Sequence, residues 1–388
     1  MSEVTMPGVY VQELPSGIGP VVPAPTNITA FVGRTQTGAA GSAATVTGIA
    51  DYFSQLGPVS ADLPLSLAVR DYFNNGGGVA IVLSVGSPTA PLSDAEWLAA
   101  VNGLGAAPQF NILALSPDVP GEDVPSTVTM AAVAQCAALG ATAILGPLAS
   151  WQVAFEAQTL DTISVDNLGP LPLSSRQAAA VYFPNLLVPD PQTTQPIAAS
   201  PVGAVAGVWV STTVENGVWV APAGVNHGLI GADGLTAALT DANDLTLTGA
   251  GVNALRSMVN YGLVIWGAKT LTGVAGSMDP WRYIQIRRTL IYIEQSLKGS
   301  LNWVAFQPNN ARLWPIITQV VSQFLTTIWQ SGGMFGGTQA EAFSVICDAS
   351  NNTPADMAAG VVNVQIQVAL LAPAEFQVIQ LQFEAAAT

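Results

Sequence analysis

Charge is scarce in this chain of 388 residues: 9% are Asp, Glu, Lys or Arg, where an ordinary soluble domain carries about 25%. A free surface of this size needs more, so much of it is expected to be covered by membrane or by other protein. Cysteine is nearly absent. Cys136 and Cys347 show no CxxC spacing, which argues against a disulfide framework or a zinc site and leaves two buried apolar thiols. His227 is the sole histidine. A Ser-His-acid triad would have to use it, and no G-x-S-x-G elbow accompanies it, so His227 reads as a loop residue. Ten basic residues against 25 acidic ones give a net charge of −15. Nucleic-acid binding is excluded on that ground, because phosphates need basic patches.

The membrane option fails next. The uncharged stretch Leu313 to Ala340, long enough to span, contains Pro315, and Thr318, Gln319, Ser322, Gln323, Thr326 and Thr327 recur along it at helical spacing. A spanning helix needs about 20 predominantly apolar residues. Direct membrane insertion is not expected, and the cover must be protein. Met1 to Gly8 has neither a basic nor an apolar leader region. No signal peptide is read there, and assembly in a bacterial host cytoplasm is expected.

Half of the residues are hydrophobic, enough for a large core. Residues 1–250 hold 18 acids and 3 bases, whereas 251–388 hold 7 of each. That asymmetry points to two domains in different surroundings. The first 25 residues are rich in Pro and Gly and read as an extended arm. Short apolar runs at Thr29–Gly33, Val79–Val85, Asn111–Leu115 and Ala141–Leu145 alternate with helical patterns at Leu65–Phe73 and Thr127–Leu139. Such alternation predicts an α/β fold around a mostly parallel, covered sheet. Pro184 to Pro201 reads as a long surface loop. Trp209, Glu215-Asn216-Gly217, Trp219 and Asp233-Gly234 suggest strands and turns.

Asp279-Pro280 reads as N-cap and first residue of a helix ending at Gly299. Tyr283, Ile286, Leu290, Ile293 and Leu297 form its apolar stripe, with Arg282, Arg287 and Arg288 off it. Leu313 to Trp329 repeats the pattern with a neutral outer face. Val362, Val364, Ile366 and Val368 alternate with amides, a period-2 strand. Phe376 to Phe383 makes another.

Three further motifs have bland readings. Gly76-Gly77-Gly78 follows a helix and lacks Lys, so it terminates that helix and does not cradle phosphate. Asp241-Ala242-Asn243-Asp244 lacks the spacing of a calcium loop and reads as a turn with a helix cap. Neither a cofactor nor a metal is expected. The stripe of Arg282, Arg287 and Arg288 fits either a solvated helix face or a dock for an acidic partner.

The C-terminal half resembles the contractile tail sheath proteins. The resemblance rests on the run from Arg282 to Glu294, on Trp303-Val304-Ala305-Phe306-Gln307-Pro308-Asn309-Asn310, on Cys347-Asp348, Asn352-Thr353, Asp356 and Ala359-Gly360, and on Pro373-Ala374-Glu375-Phe376. Upstream, Pro7 to Glu13, Asn75-Gly76-Gly77, Gly203 to Gly207, Gly217-Val218-Trp219, Ala221 to Gly224 and Trp266 to Thr270 follow in the same order, with Lys269 where the family usually has Arg.

The resemblance implies a discontinuous outer α/β domain of subtilisin-like topology (26–275), an inner α+β C-terminal domain (276–373), and extended arms at 1–25 and 374–388. It implies a non-enzymatic subunit that polymerises with itself around an inner tail tube protein and meets baseplate and tail terminator or cap proteins. Whether it serves a phage tail, a bacteriocin or an injection system is left open. The alternatives are a hydrolase on the same scaffold and a non-contractile polymer. Val9, Tyr10 and Val11, with Phe376, Val378, Ile379, Leu381 and Phe383, are the candidate arm strands donated between subunits. Val362, Val364, Ile366 and Val368 are the candidate acceptor, and Arg282, Arg287, Arg288 and Lys298 the candidate tube-facing residues.

Arm pairing has an energetic condition. About five hydrogen bonds contribute roughly 2.5–7.5 kcal/mol net, whereas ordering about six residues costs roughly 6–12 kcal/mol. The arms must therefore also bury apolar side chains, and the prolines before Ala30 reduce the entropy lost.

Overall fold

The computed structural model describes residues 19–86, 90–370 and the backbone of 377–384. Its strands, in chain order, are β1 (Ile28–Gly33), β2 (Ala43–Val46), β3 (Val79–Ser84), β4 (Ile112–Leu115), β5 (Thr142–Leu145), β6 (Ala179–Phe183) and β7 (Leu186–Pro189). They continue with β8 (Pro196–Ala199), β9 (Gly234–Leu235), β10 (Asn253–Met258), β11 (Gly262–Trp266), β12 (Phe343–Ile346), β13 (Val361–Val368) and β14 (Gln377–Glu384). Eight strands form one sheet in the order β11-β10-β6-β5-β4-β1-β3-β2. The six inner strands run parallel, and β2 and β11 close the edges antiparallel.

Strands such as Ile-Leu-Ala-Leu in β4 are apolar at every position because helices cover both faces of the sheet. Trp97, Val133, Cys136 and Trp151 build the core on one face. Tyr52, Leu65, Tyr72, Val205 and Trp209 build it on the other. A third core draws on residues from Ile286 to Leu370 and also takes in Val21. The fold is a mixed α/β one with a large central sheet, and the early strands and the helices Pro64–Asn74 and Ser126–Leu139 fall where the periodicity places them.

Three local expectations are corrected. Residues Pro184 to Pro201 are not a plain loop: β7 and β8 pair antiparallel from Leu186↔Ala199 to Pro189↔Pro196. Asp190 turns the hairpin, its Oδ1 accepting from the Gln192 N–H at 2.7 Å, and the prolines sit at the last pair of the ladder, where a missing donor does least harm.

The segment around Trp209 is not strand but the helix Val202–Asn216. Every residue from Val202 to Val210 is buried, so no polar face existed to reveal a helical period. The third correction concerns Asp279. Its Oδ1 accepts from the Trp281 N–H at 2.7 Å and closes a turn. Arg282 and Ile284 are tied to Thr270 and Ala268 by backbone hydrogen bonds, which hold the chain extended, and the helix starts only at Ile284.

The helix Val202–Asn216 lies backbone to backbone on Pro64–Asn74. A Cβ on Gly203 would stand 1.9 Å from the Ala68 carbonyl oxygen, and one on Gly207 2.5 Å from that of Tyr72. The Gly203-x-x-x-Gly207 spacing puts both hydrogens on one face. At the end of the partner helix, Gly76 takes a φ of 88° and Gly77 lies under the Tyr72 ring, so these glycines terminate a helix as read. Gly207→Ala is expected to lower stability by about 1–3 kcal/mol, the usual cost of overpacking, measured by denaturant unfolding.

Asp71 is buried in the same helix pair at 2% exposure. Burial raises its carboxyl to about 6, against the pull of Arg70, whose Nε donates to Asp71 Oδ1 at 2.9 Å. The folded value exceeds the unfolded one of about 3.9. The proton-linked stability is therefore full below about pH 4 and lost as pH rises through about 6. Asp71→Asn should flatten the stability curve in that window, as read from urea midpoints at stepped pH.

Candidate assembly interface

The C-terminal sheet has the order β12-β13-β14. Val362, Val364, Ile366 and Val368 of β13 are all buried, and the amides between them are half-buried. This face packs on the helices Ile284–Ser300 and Leu313–Gln330 through Ile293, Leu297, Val321 and Leu325. Beyond Ile346, where β12 stops, asparagine side chains continue the ladder. Asn352, 2% exposed, accepts from the Asn363 N–H at 2.7 Å and donates to the Asn363 carbonyl at 3.0 Å. A side-chain amide here does the work of a peptide group, which accounts for buried asparagine in this loop.

On the other side, β14 pairs antiparallel with β13 of its own chain, from Val361↔Glu384 to Val368↔Gln377. Phe383, Leu381 and Ile379 stand opposite Val362, Val364 and Ile366, and Val378 opposite Gln367. The expected donor and acceptor strands are thus brought together, but within one molecule. Val9, Tyr10, Val11 and Phe376 lie outside the described residues.

The described part of the N-terminal arm is not free either. Residues 21–26 run along the helix Ile284–Ser300. The Val22 N–H donates to Ser300 Oγ at 2.8 Å and the Ala24 N–H to Ser296 Oγ at 2.9 Å. Arg288 Nη2 donates to the Thr26 carbonyl at 2.9 Å. The match is geometric: two extended residues advance about 6.2 Å, and four helical residues about 6 Å. Prolines at 20, 23 and 25 hold the strap extended, and Val21 enters the third core. Asn111 anchors the strap's end, donating to the Pro25 carbonyl at 2.7 Å.

The chain is similar to known sheath proteins. The phage tail sheath C-terminal domain family matches residues 277–384. The contracted helical sheath of the anti-feeding prophage matches with a TM-score of 0.73 and 26% identity, over 97% of this chain and 99% of that one. The contracted sheath complex of the PVC extracellular contractile injection system matches with a TM-score of 0.73 and 26% identity, over 98% of each chain.

Residues 277–384 belong to the phage tail sheath C-terminal domain family, and the chain as a whole is similar to contractile sheath proteins.

A phage relative is more distant in length. The tail sheath protein of Vibrio phage KVP40 is 26% identical over 151 residues, 39% of this chain and 21% of that protein. The chain therefore spans about a fifth of that relative's length.

The four basic residues expected to face a tube differ in exposure. Arg288 does not face outward: it is 5% exposed, donates to Thr213 Oγ1 at 3.0 Å, and lies 5.1 Å from the Trp209 ring centre. Burial lowers its guanidinium to about 10, still charged at neutral pH. Arg287 lies half-buried over Trp281 and Arg282 over Tyr283. Lys298 alone of the four is exposed. Helical spacing placed Arg288 off the apolar stripe, but the helix is also covered on that side, by the helix Val202–Asn216 and the strap.

The hydrolase scaffold can be examined where such sheets hold ligands, outside the carboxyl ends of the strands at a switch in strand order. The chain steps from β1 to β3 on one side and then to β4 on the other. At that point Arg34 Nε meets Asp118 Oδ1 at 2.6 Å, and Asp118 Oδ2 accepts from the Leu92 N–H at 2.8 Å. Both carboxylate oxygens of Asp118 are thus engaged within the fold. His227 lies in a bend with Nδ1 3.9 Å from Glu215. Thr240 and Asn243 form a helix capping box, and Arg256 pairs with Asp241 at 2.6 Å. The matched relatives are sheath components, not enzymes.

Among the described residues no helix is long and apolar enough to cross a membrane. The strap contacts of Ser296 and Ser300 were not anticipated, although two serines four apart on a helix gave the signal. Ser296→Ala with Ser300→Ala is expected to speed amide exchange at Val22 and Ala24 by about two- to tenfold, for loss of one hydrogen bond each. Hydrogen exchange read by mass spectrometry checks this.

Proposed function

We propose that the chain is the repeating subunit of a contractile sheath, which polymerises around an inner tube and shortens to drive the tube through a target envelope. In this reading 26–275 form an outer domain of subtilisin-like topology, 276–373 an inner domain, and the two ends are arms. Baseplate and terminator proteins close the polymer at its tips. The energy is stored in the metastable extended lattice during assembly, held by kinetic trapping, and released as subunits rotate and slide as rigid bodies. Lys298 faces the tube.

The observation that carries the reading is the pairing of β14 with β13. A strand supplied by a chain end at a sheet edge can be supplied equally by the end of another copy, in the same register and with the same contacts. Exchange between the two arrangements is then close to neutral in free energy, and the lattice decides between them through effective concentration. In the lone chain the same pairing covers an edge that would otherwise template aggregation. Val9, Tyr10 and Val11 are proposed to add a further strand to a neighbour by the same chemistry.

Gln365 and Gln380 are register partners and provide the test. A Gln365→Cys, Gln380→Cys double variant oxidised as a monomer should lock β14 in place and fail to form sheaths. Sheaths co-assembled from the two single variants should yield covalent links between chains. Normal assembly of the locked variant, without cross-links in the mixed sheaths, would refute donation of the C-terminal arm.

A further inference from the structure

The ten basic residues are distributed unevenly in depth. Eight are half-buried or buried, most of them in ion pairs or stacked on rings, and only Lys298 and Arg312 are exposed. The two exposed cations differ in surroundings. Lys298 lies in the last turn of the helix Ile284–Ser300, where the helix dipole favours positive charge. Arg312 is the N-cap of the helix Leu313–Gln330, where the dipole disfavours it. It stands in the exposed end of the turn 307–312 and gains from any anion brought beside it.

A cavity of about 230 Å³ supplies the opposite chemistry. It opens at the carboxyl ends of β4 and β5, with Leu67, Leu115, Leu145 and Leu168 among its apolar lining. Asp62, Glu122 and Asp123 are exposed at its rim, and none of its lining residues is basic. Asp123 is engaged, accepting from the Ala149 N–H at 2.6 Å. Asp62 and Glu122 are left to meet a cation from outside.

We infer that this cavity receives Arg312 of a neighbouring copy, an inference that rests on the sheath reading above. A guanidinium is planar and weakly hydrated, so it enters a partly apolar recess and bridges two carboxylates more readily than an ammonium does. Each copy carries −15, and copies brought side by side repel unless opposite charges meet. Knob and socket lie on different parts of the molecule. The contact is therefore head-to-tail, the class that generates open helical polymers.

The test is a charge exchange in the full chain, assembled with its tube protein and counted by electron microscopy and sedimentation. Glu122→Arg and Arg312→Glu, each confirmed as a folded monomer by its melting temperature, should lower sheath yield about tenfold or more, and the pair combined should restore most of it. Wild-type assembly should weaken as salt rises. Single variants that assemble like the wild type, or a combined variant no better than the worse single one, would overturn the contact. So would rescue of Arg312→Glu only by a charge change in the tube protein. Failure of the wild type to form cylinders at all would instead count against the sheath reading itself.

Discussion

Arg288 holds three parts of the molecule at one point, and the junction is arranged to keep its charge satisfied without an acid. The helix that carries it starts in the second core with Ile284 and continues in the third with Ile286 and Ile293. From there its guanidinium reaches Thr213 on one side and Thr26 on the other, over the face of Trp209. A buried cation with neutral partners costs more to dehydrate than these bonds return in isolation. What it gives is orientation: the fork geometry fixes strap, C-terminal helix and outer helix against one another. The Ser296 and Ser300 bonds then propagate that alignment along the strap.

The low charge of the sequence has a structural counterpart. Most of the few bases are turned inward, and the outer positions of β13 and of the helix Leu313–Gln330 are amides and hydroxyls. Such groups lose little on burial if they find a partner. A surface of this kind suits a polymer whose contacts must break and re-form, because hydrogen bonds can be exchanged among like groups without leaving ions stranded.

The sequence made much of this legible, and its omissions are instructive. Strands of the parallel sheet were readable because their apolar runs have strand length and are bounded by turns. β13 was readable because one face is buried and the other is amide. The helix Val202–Asn216 was hidden because it is buried all round, which erases the period. The start of the helix at Ile284 was misplaced because Asp279 caps a turn with the same hydrogen bond that would cap a helix. Arg288 was misjudged because helical spacing reports which residues share a face but not how many faces are covered.

Both ends of the described chain contribute to one small region: Val21 is in the third core, and β14 completes the sheet that lies over it. Synthesis proceeds from one end at about 5–20 residues per second. Val21 leaves the ribosome before β13 and β14, which emerge more than 300 residues later. The region cannot close until translation has nearly passed through all of them. A nascent chain on a polysome therefore has no finished C-terminal sheet to offer its neighbours, although many copies hang from the same messenger.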